Sequence, residues 1–206
     1  MTSKRKVSNP LALAVLACLF ERPMHPYEMA STMRQRGKDT SIKLNYGSLY
    51  SVVESLQKQK LIDIAETERD GNRPERTVYR LTQAGELELM DWLSELLGTP
   101  VKEYTQFEAG LCLLAVLSPE DAMARLEDRI LKLEFEIKQY HSMRDLAVEK
   151  GLPRIFWIES EYWTMLREAE LKWVRQLVQE IREGKLEGQE QWKGWHQVPR
   201  VEWKKC

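Results

Sequence analysis

The stretch Asn45-Tyr46-Gly47-Ser48-Leu49-Tyr50-Ser51-Val52-Val53-Glu54-Ser55-Leu56 decides how the rest of the chain is read. Leu49, Val52, Val53 and Leu56 recur at helical spacing and form a narrow apolar stripe. The other side presents Tyr46, Ser48, Ser51, Ser55 and Lys58, a polar face with Glu54 as its acid. Asn45 is placed to cap the helix, because its side-chain oxygen can accept a free amide of the first turn. Gly47 and Ser48 add little bulk there and Lys43 precedes them, which suits a phosphate at the helix start. Taken alone, the stretch also reads as an ordinary surface helix packed by one stripe, so its surroundings decide.

Upstream, Asn9-Pro10 opens a helix, with Asn9 as cap and Pro10 at the first helical position. Leu11 to Phe20 is apolar nearly all round, so that helix is buried on more than one side until Glu21-Arg22-Pro23 ends it. Pro26 starts a second helix running to about Gln35, and Gly37 is a left-handed cap. Residues 38–44 make a polar connector pinned by Ile42 and Leu44.

Downstream, residues 61–66 and 77–82 alternate apolar and polar around the turn cluster Asp70-Gly71-Asn72-Arg73-Pro74. That pattern predicts a β-hairpin carrying Arg69, Arg73 and Arg76. Charges on edge strands also serve simply to block aggregation. Three helices followed by a basic hairpin is the order of a winged helix-turn-helix, in which one helix enters the major groove and the hairpin lies alongside. The order makes the scattered residues parts of one DNA-binding surface. Lys43 and Tyr27 are then candidates for phosphate contacts. Asn45, Tyr46, Ser48 and Ser51 fall at or beside the major groove. Arg69, Arg73 and Arg76 serve the wing, and Lys4, Arg5 and Lys6 can reach the backbone. Tyr50 sits beside them or in the core.

Charge distribution points the same way. The 206 residues carry a net charge of −1, but residues 1–85 hold 14 Lys and Arg against 9 Asp and Glu, whereas the remainder holds 17 against 23. A basic front half and an acidic back half fit a nucleic-acid-binding module joined to something else. Cys18 and Cys112 lie in apolar runs and read as buried thiols of a reducing compartment, with Cys206 exposed at the end. Lys4-Arg5-Lys6 before the apolar run looks like a leader, and Val15-Leu16-Ala17-Cys18 like a lipoprotein cleavage box. The run is short, however, and cleavage would delete a helix that the next elements need. No other run approaches the roughly 20 apolar residues of a membrane span, so the expected location is cytoplasmic.

Pro26-Tyr27-Glu28-Met29, Gly47-Ser48-Leu49-Tyr50, the spacing from Leu56 to Leu61-Ile62, and Tyr79-Arg80-Leu81-Thr82-Gln83-Ala84-Gly85 together resemble the PadR family of bacterial transcriptional regulators. The resemblance covers about residues 10–90. Departures occur at Ser51, where relatives often have Pro, at Pro26, where they often have Gly, and in the wing, where Glu75 sits among the arginines. The resemblance implies a dimeric DNA-binding repressor controlled by a small molecule, frequently aromatic or phenolic, bound near the dimer interface.

The C-terminal half is helical. Residues 82–97 read as a linking helix, with Leu87, Met90, Leu93 and Leu97 on one side and Trp92 near them. A short apolar helix follows over residues 106–117. Ser118-Pro119-Glu120-Asp121 is a helix-start signal, and Leu126, Ile130, Leu133, Ile137 and Tyr140 then repeat every 3.5 residues. Gly151-Leu152-Pro153 stops that helix. The next carries Ile155, Ile158, Tyr162, Leu166, Ala169, Trp173, Leu177 and Ile181 as its stripe. Apolar residues lie off both stripes, more than one internal seam can use, so a second copy of the chain is the expected partner. Packing on the same chain's winged domain is the alternative. Leu126, Ile130, Leu133, Ile137, Tyr140, Ile158, Tyr162, Leu166 and Trp173 are the candidate dimerisation residues. The tail after residue 183 carries Trp192, Trp195 and Trp203, which dock on their own hairpin or line a ligand or subunit site.

His25, His141 and His196 are scattered, no paired cysteine set exists, and no phosphate loop or nucleophile elbow is present. No enzyme, metal or cofactor is expected. The expected fold is mainly α: a winged helix-turn-helix with its linking helix over residues 1–97, a coiled-coil-like helical dimerisation domain over 98–183, and a tryptophan-containing tail over 184–206. The expected partners are double-stranded DNA, a second copy of the chain and a small aromatic effector, with no membrane. Trp92, Phe107 and the helix from Leu11 are candidate effector contacts on family analogy. An activator with the same DNA head, or a winged helix that binds protein, are the alternatives.

Overall fold

The computed structural model describes residues 9–68 and 76–197. The chain divides into two compact units, Met1–Lys102 and Glu103–Cys206.

In the first unit the element order is α1 (Pro10–Glu21), α2 (Pro26–Gln35), α3 (Tyr46–Lys58), β1 (Ile62–Glu68), β2 (Arg76–Leu81) and α4 (Gln83–Gly98). Side chains begin each of the four helices. Asn9 Oδ1 accepts from Leu11 N, His25 Nδ1 from Tyr27 N, Asn45 Oδ1 from Gly47 N, and Thr82 Oγ1 from Gly85 N. Pro10 and Pro26 occupy first-turn positions where no amide is needed. Gly37, with φ 66°, turns the chain after α2 in the left-handed region.

One core gathers Leu11, Val15, Leu16 and Leu19 of α1, Met29 and Met33 of α2, the α3 stripe, Ile62, and Leu89 with Trp92 of α4. The strands pair antiparallel from Ile62 opposite Leu81 to Glu68 opposite Arg76, with the register shifting between Ile64 and Glu66. Met24 and Tyr79 exchange backbone hydrogen bonds of 3.0 Å each way, so β2 is tied to the α1–α2 connection.

The linking helix departs from the simplest reading of its sequence. The buried side of α4 is Gly85, Leu89 and Trp92. Leu87, Met90, Leu93 and Leu97, which the sequence groups on one side, are exposed. Trp92 is only 5% exposed and packs in the core of this unit.

The second unit contains α5 (Gln106–Cys112), α6 (Pro119–Glu149), α7 (Ile158–Arg182) and α8 (Gln189–Gln197). Ser118 caps α6 by accepting from Asp121 N, as its sequence predicts. α6 and α7 form an antiparallel hairpin. Ion pairs from Glu127 to Arg182 and from Glu134 to Arg175, with a 2.9 Å contact between His141 Nε2 and Glu168 Oε1, step along it in opposite chain directions. Each exposed pair adds about 0–1 kcal/mol, so the apolar seam carries the stability and the charges fix its register.

That seam corrects one set of expectations. Leu126, Leu133 and Ile137 are buried against α7 within the chain, with Ile130 half-buried between two clusters. They are the hairpin's own interior and not a face for a second copy. Tyr140 stacks on Trp163, 4.0 Å between centroids. On α7 the inner residues are Leu171, Val174, Val178 and Ile181, whereas Ile158, Tyr162, Leu166 and Trp173 face outward and are exposed.

The segment after residue 183 does not stand apart as a tail. Residues 189–197 form α8, and Trp192 joins the cluster around Ala122, Leu126 and Val174. Its Nε1 donates to Leu117 O at 2.8 Å. Trp203 lies outside the described residues. Cys112, expected to be buried, is exposed, because α5 buries none of its side chains. Cys18 is buried as expected, and burial pushes its thiol up to about 11.

Among the described residues, no helix is long and apolar enough to cross a membrane. Among the same residues, no cluster of His, Cys, Asp and Glu could hold a metal ion.

Candidate nucleic-acid interface

α3 is held from beneath by Leu49, Val52, Val53 and Leu56, all buried in the core of the first unit. Its first turn faces solvent. Tyr46, Gly47, Ser48, Tyr50 and Ser51 are exposed, as are Lys43 and Asn45 before them. Tyr50 is 50% exposed, which removes the alternative that it belongs to the core. The expected polar face therefore exists, and its backbone amides point outward at the positive end of the helix dipole.

Individual side chains have assigned tasks. Asn45 is committed as the cap, its Oδ1 accepting from Gly47 N at 2.9 Å. That bond leaves its amide N–H groups for another acceptor. Ser51 donates back to Gly47 O at 3.1 Å, so toward a ligand it offers lone pairs. Lys58 pairs with Glu54 at 2.6 Å and holds that carboxyl below its ordinary range. The acid on this face is thereby matched by a cation one turn away.

Tyr27 of α2 stacks on Tyr46 of α3, with centroids 6.1 Å apart and planes 12° apart. Arg34 completes the row. Its guanidinium lies 4.6 Å from the Tyr46 ring centroid, and Nη1 donates to the Tyr46 hydroxyl at 2.5 Å. Arg34 was not among the sequence candidates. Its signal was present: it lies seven residues after Tyr27, two turns on and on the same helical face. Tyr27, Arg34 and Tyr46 thus form a cationic, aromatic ridge joining the two helices.

The Thr82-x-x-Gly85 pair explains how the hairpin is locked to α3. Lys60, with φ 61°, reverses the chain after α3, and Leu61 N donates to Leu56 O at 3.0 Å. The Thr82 hydroxyl lies 2.8 Å from Lys60 O and 2.9 Å from Leu61 O, and it accepts from Gly85 N. A Cβ on Gly85 would stand 2.0 Å from Leu61 O. Only glycine lets α4 approach the turn that follows α3. Tyr79, on β2, has its phenol pushed up by burial and then by Glu54 and Tyr50, so this strand residue sits beside α3.

Arg69 and Arg73 lie outside the described residues, as do Lys4, Arg5 and Lys6. Arg76 opens β2. In the second unit, Phe107 meets Trp173 edge-on at 6.5 Å, and the Arg129 guanidinium covers its ring at 3.6 Å.

No curated relative matches the sequence. The model of the transcriptional regulator PadR-like family matches residues 15–91. The fold is similar to Bacillus subtilis PadR in complex with operator DNA, with a TM-score of 0.67 at 18% identity, covering 84% of this chain and 99% of that one. The same PadR in complex with p-coumaric acid gives a TM-score of 0.65 at 18% identity, over 84% and 98% of the two chains. The Vibrio cholerae virulence activator AphA gives 0.62 at 18% identity, also over 84% and 98%. At these identities the likeness is one of fold. The capped α3, the hairpin locked to it through Thr82 and Gly85, and the match over residues 15–91 make the first unit similar to the transcriptional regulator PadR-like family.

Proposed function

We propose that this protein is a transcriptional regulator that binds duplex DNA with α3 in the major groove and acts in the cytoplasm as a homodimeric repressor. The observation that carries the reading is the solvent-facing first turn of α3, beside the Tyr27–Arg34–Tyr46 ridge. Exposed amides at a helix start and an arginine on the flank suit phosphates. Short polar side chains at Ser48 and Ser51 suit base edges. The fold likeness to a PadR solved with operator DNA supports the same use.

Dimerisation is proposed through the outward side of α7. Ile158, Tyr162, Leu166 and Trp173 are large and exposed on a helix whose inner side is already filled. Apolar area left in water on one face of a hairpin favours association. Two reading helices related by a two-fold axis would recognise half-sites about one helical turn apart. A small aromatic effector is part of the proposal, supported by the similar PadR solved with p-coumaric acid. Phe107 remains its candidate contact.

The test is a mobility-shift titration on the DNA upstream of the protein's own gene at rising salt. Sequence-selective binding that weakens steeply with salt supports the proposal. Absence of binding at every salt concentration favours a winged helix that binds protein. The resemblance to a virulence activator motivates the opposite sign of regulation. A reporter fused to the bound promoter decides it: a repressor lowers expression and an activator raises it.

A further inference from the structure

α3 packs on its own core through Leu49, Val52, Val53 and Leu56, so a groove that it enters meets the side opposite that stripe. At about 100° per residue, that side is a single row: Gly47, Ser51, Glu54 and Lys58. All four residues are exposed. The first two offer little. Gly47 has no side chain, and Ser51 gives its hydroxyl proton to Gly47 O at 3.1 Å. Glu54 is the first long side chain of the row, with 65% of its surface in solvent.

Glu54 does not stand alone. Lys58 Nζ, one turn on, donates to Glu54 Oε1 at 2.6 Å. Oε2 has no hydrogen-bond partner among the described residues. The lysine also holds the carboxyl below its ordinary range, so at neutral pH the group accepts and cannot donate. A lone carboxylate moved against a duplex is repelled by the phosphates. The ammonium beside it offsets that charge, so the pair enters a groove close to neutral. It presents an acceptor and a donor side by side at its outer end.

That pattern selects among base pairs. The major-groove donors are cytosine N4 and adenine N6. In a C·G pair the cytosine amine lies beside guanine O6 and N7, two acceptors for an ammonium. In an A·T pair the adenine amine lies between its own N7 and thymine O4, so the second carboxylate oxygen faces a lone pair. We propose that Glu54 and Lys58 together read one C·G base pair. Glu54 Oε2 accepts from cytosine N4, and Lys58 donates to guanine O6 and N7. The assignment rests on the reading that α3 enters the major groove, and it adds the specificity that Ser48 and Ser51 alone do not supply.

Competition binding tests it, with the full chain on the bound fragment upstream of its own gene and a series of duplexes in which each base pair is replaced in turn. For the wild type, one C·G pair should be needed, and its replacement by T·A should weaken binding at least about tenfold. Glu54→Gln should change the best base at that position from cytosine to adenine, because a carboxamide matches adenine N6 and N7. Lys58→Met should lose the preference for C·G there. Both side chains are exposed, so both variants should melt with the wild type. A Glu54→Gln protein that ranks all the duplexes as the wild type does overturns the proposal, while selective binding by the wild type leaves the reading of α3 intact. A wild type that binds every duplex equally overturns both.

Discussion

Gly85 shows how much a single position decides. Thr82 caps α4 and also bonds back to the carbonyls at Lys60 and Leu61, so it joins three elements. Gly85 permits that closure, since an added Cβ would meet Leu61 O at 2.0 Å. Gly85→Ala is therefore expected to cost about 3 kcal/mol through overpacking against backbone that cannot give way. A fall in thermal midpoint of several degrees checks it, and an unchanged midpoint would refute the hub. Much at this scale was legible in sequence. Asn9, Asn45 and Ser118 cap helices because a short oxygen-bearing side chain stands before a helical pattern. Arg34 was missed although its seven-residue spacing from Tyr27 marks the same helical face, because its role also depends on the Tyr46 ring of another helix, which is no spacing within α2.

At the scale of elements, helix positions followed from periodicity, whereas periodicity did not settle what each face meets. In α4 the residues at helical spacing on one side, Leu87, Met90, Leu93 and Leu97, are exposed, and Leu89 with Trp92 is buried. In α6 the 3.5-residue repeat correctly marks a helix–helix seam. A repeat does not say whether the partner helix belongs to the same chain, and here Leu126, Leu133 and Ile137 meet α7. Both α4 and α7 carry apolar residues on two sides, so the pattern alone cannot rank them. α8 was missed altogether, because its polar composition hides one buried tryptophan and one buried glutamine. The two faces of the hairpin can be separated by mutation. Leu133→Ala should destabilise the second unit by about 2–5 kcal/mol. Tyr162→Asp, on the exposed side of α7, should leave the thermal midpoint of the monomer nearly unchanged while converting dimer to monomer. Sedimentation and thermal melts on the two variants check this, and a dimer that survives Tyr162→Asp would move the interface off that side.

For the whole molecule, the order of three helices and a hairpin fixed the kind of head before any contact was visible. A single winged helix makes few contacts, so specificity on a genome calls for two heads on one axis. The wing tip with Arg69 and Arg73 lies outside the described residues, which puts the weight of the account on α3. That weight can be tested without disturbing the fold. Ser48 is exposed and stands three residues after the Asn45 cap, where a glutamate favours the helix through its dipole and a capping box. The same carboxylate would face the phosphates of a bound duplex. The measurement is fluorescence anisotropy of wild type and Ser48→Glu on the best-bound duplex from the chain's own promoter, at one salt concentration. The account predicts equal or higher thermal stability and affinity reduced by about a hundredfold or more. A Ser48→Glu protein that binds that duplex as tightly as wild type would contradict the placement of α3 in the groove.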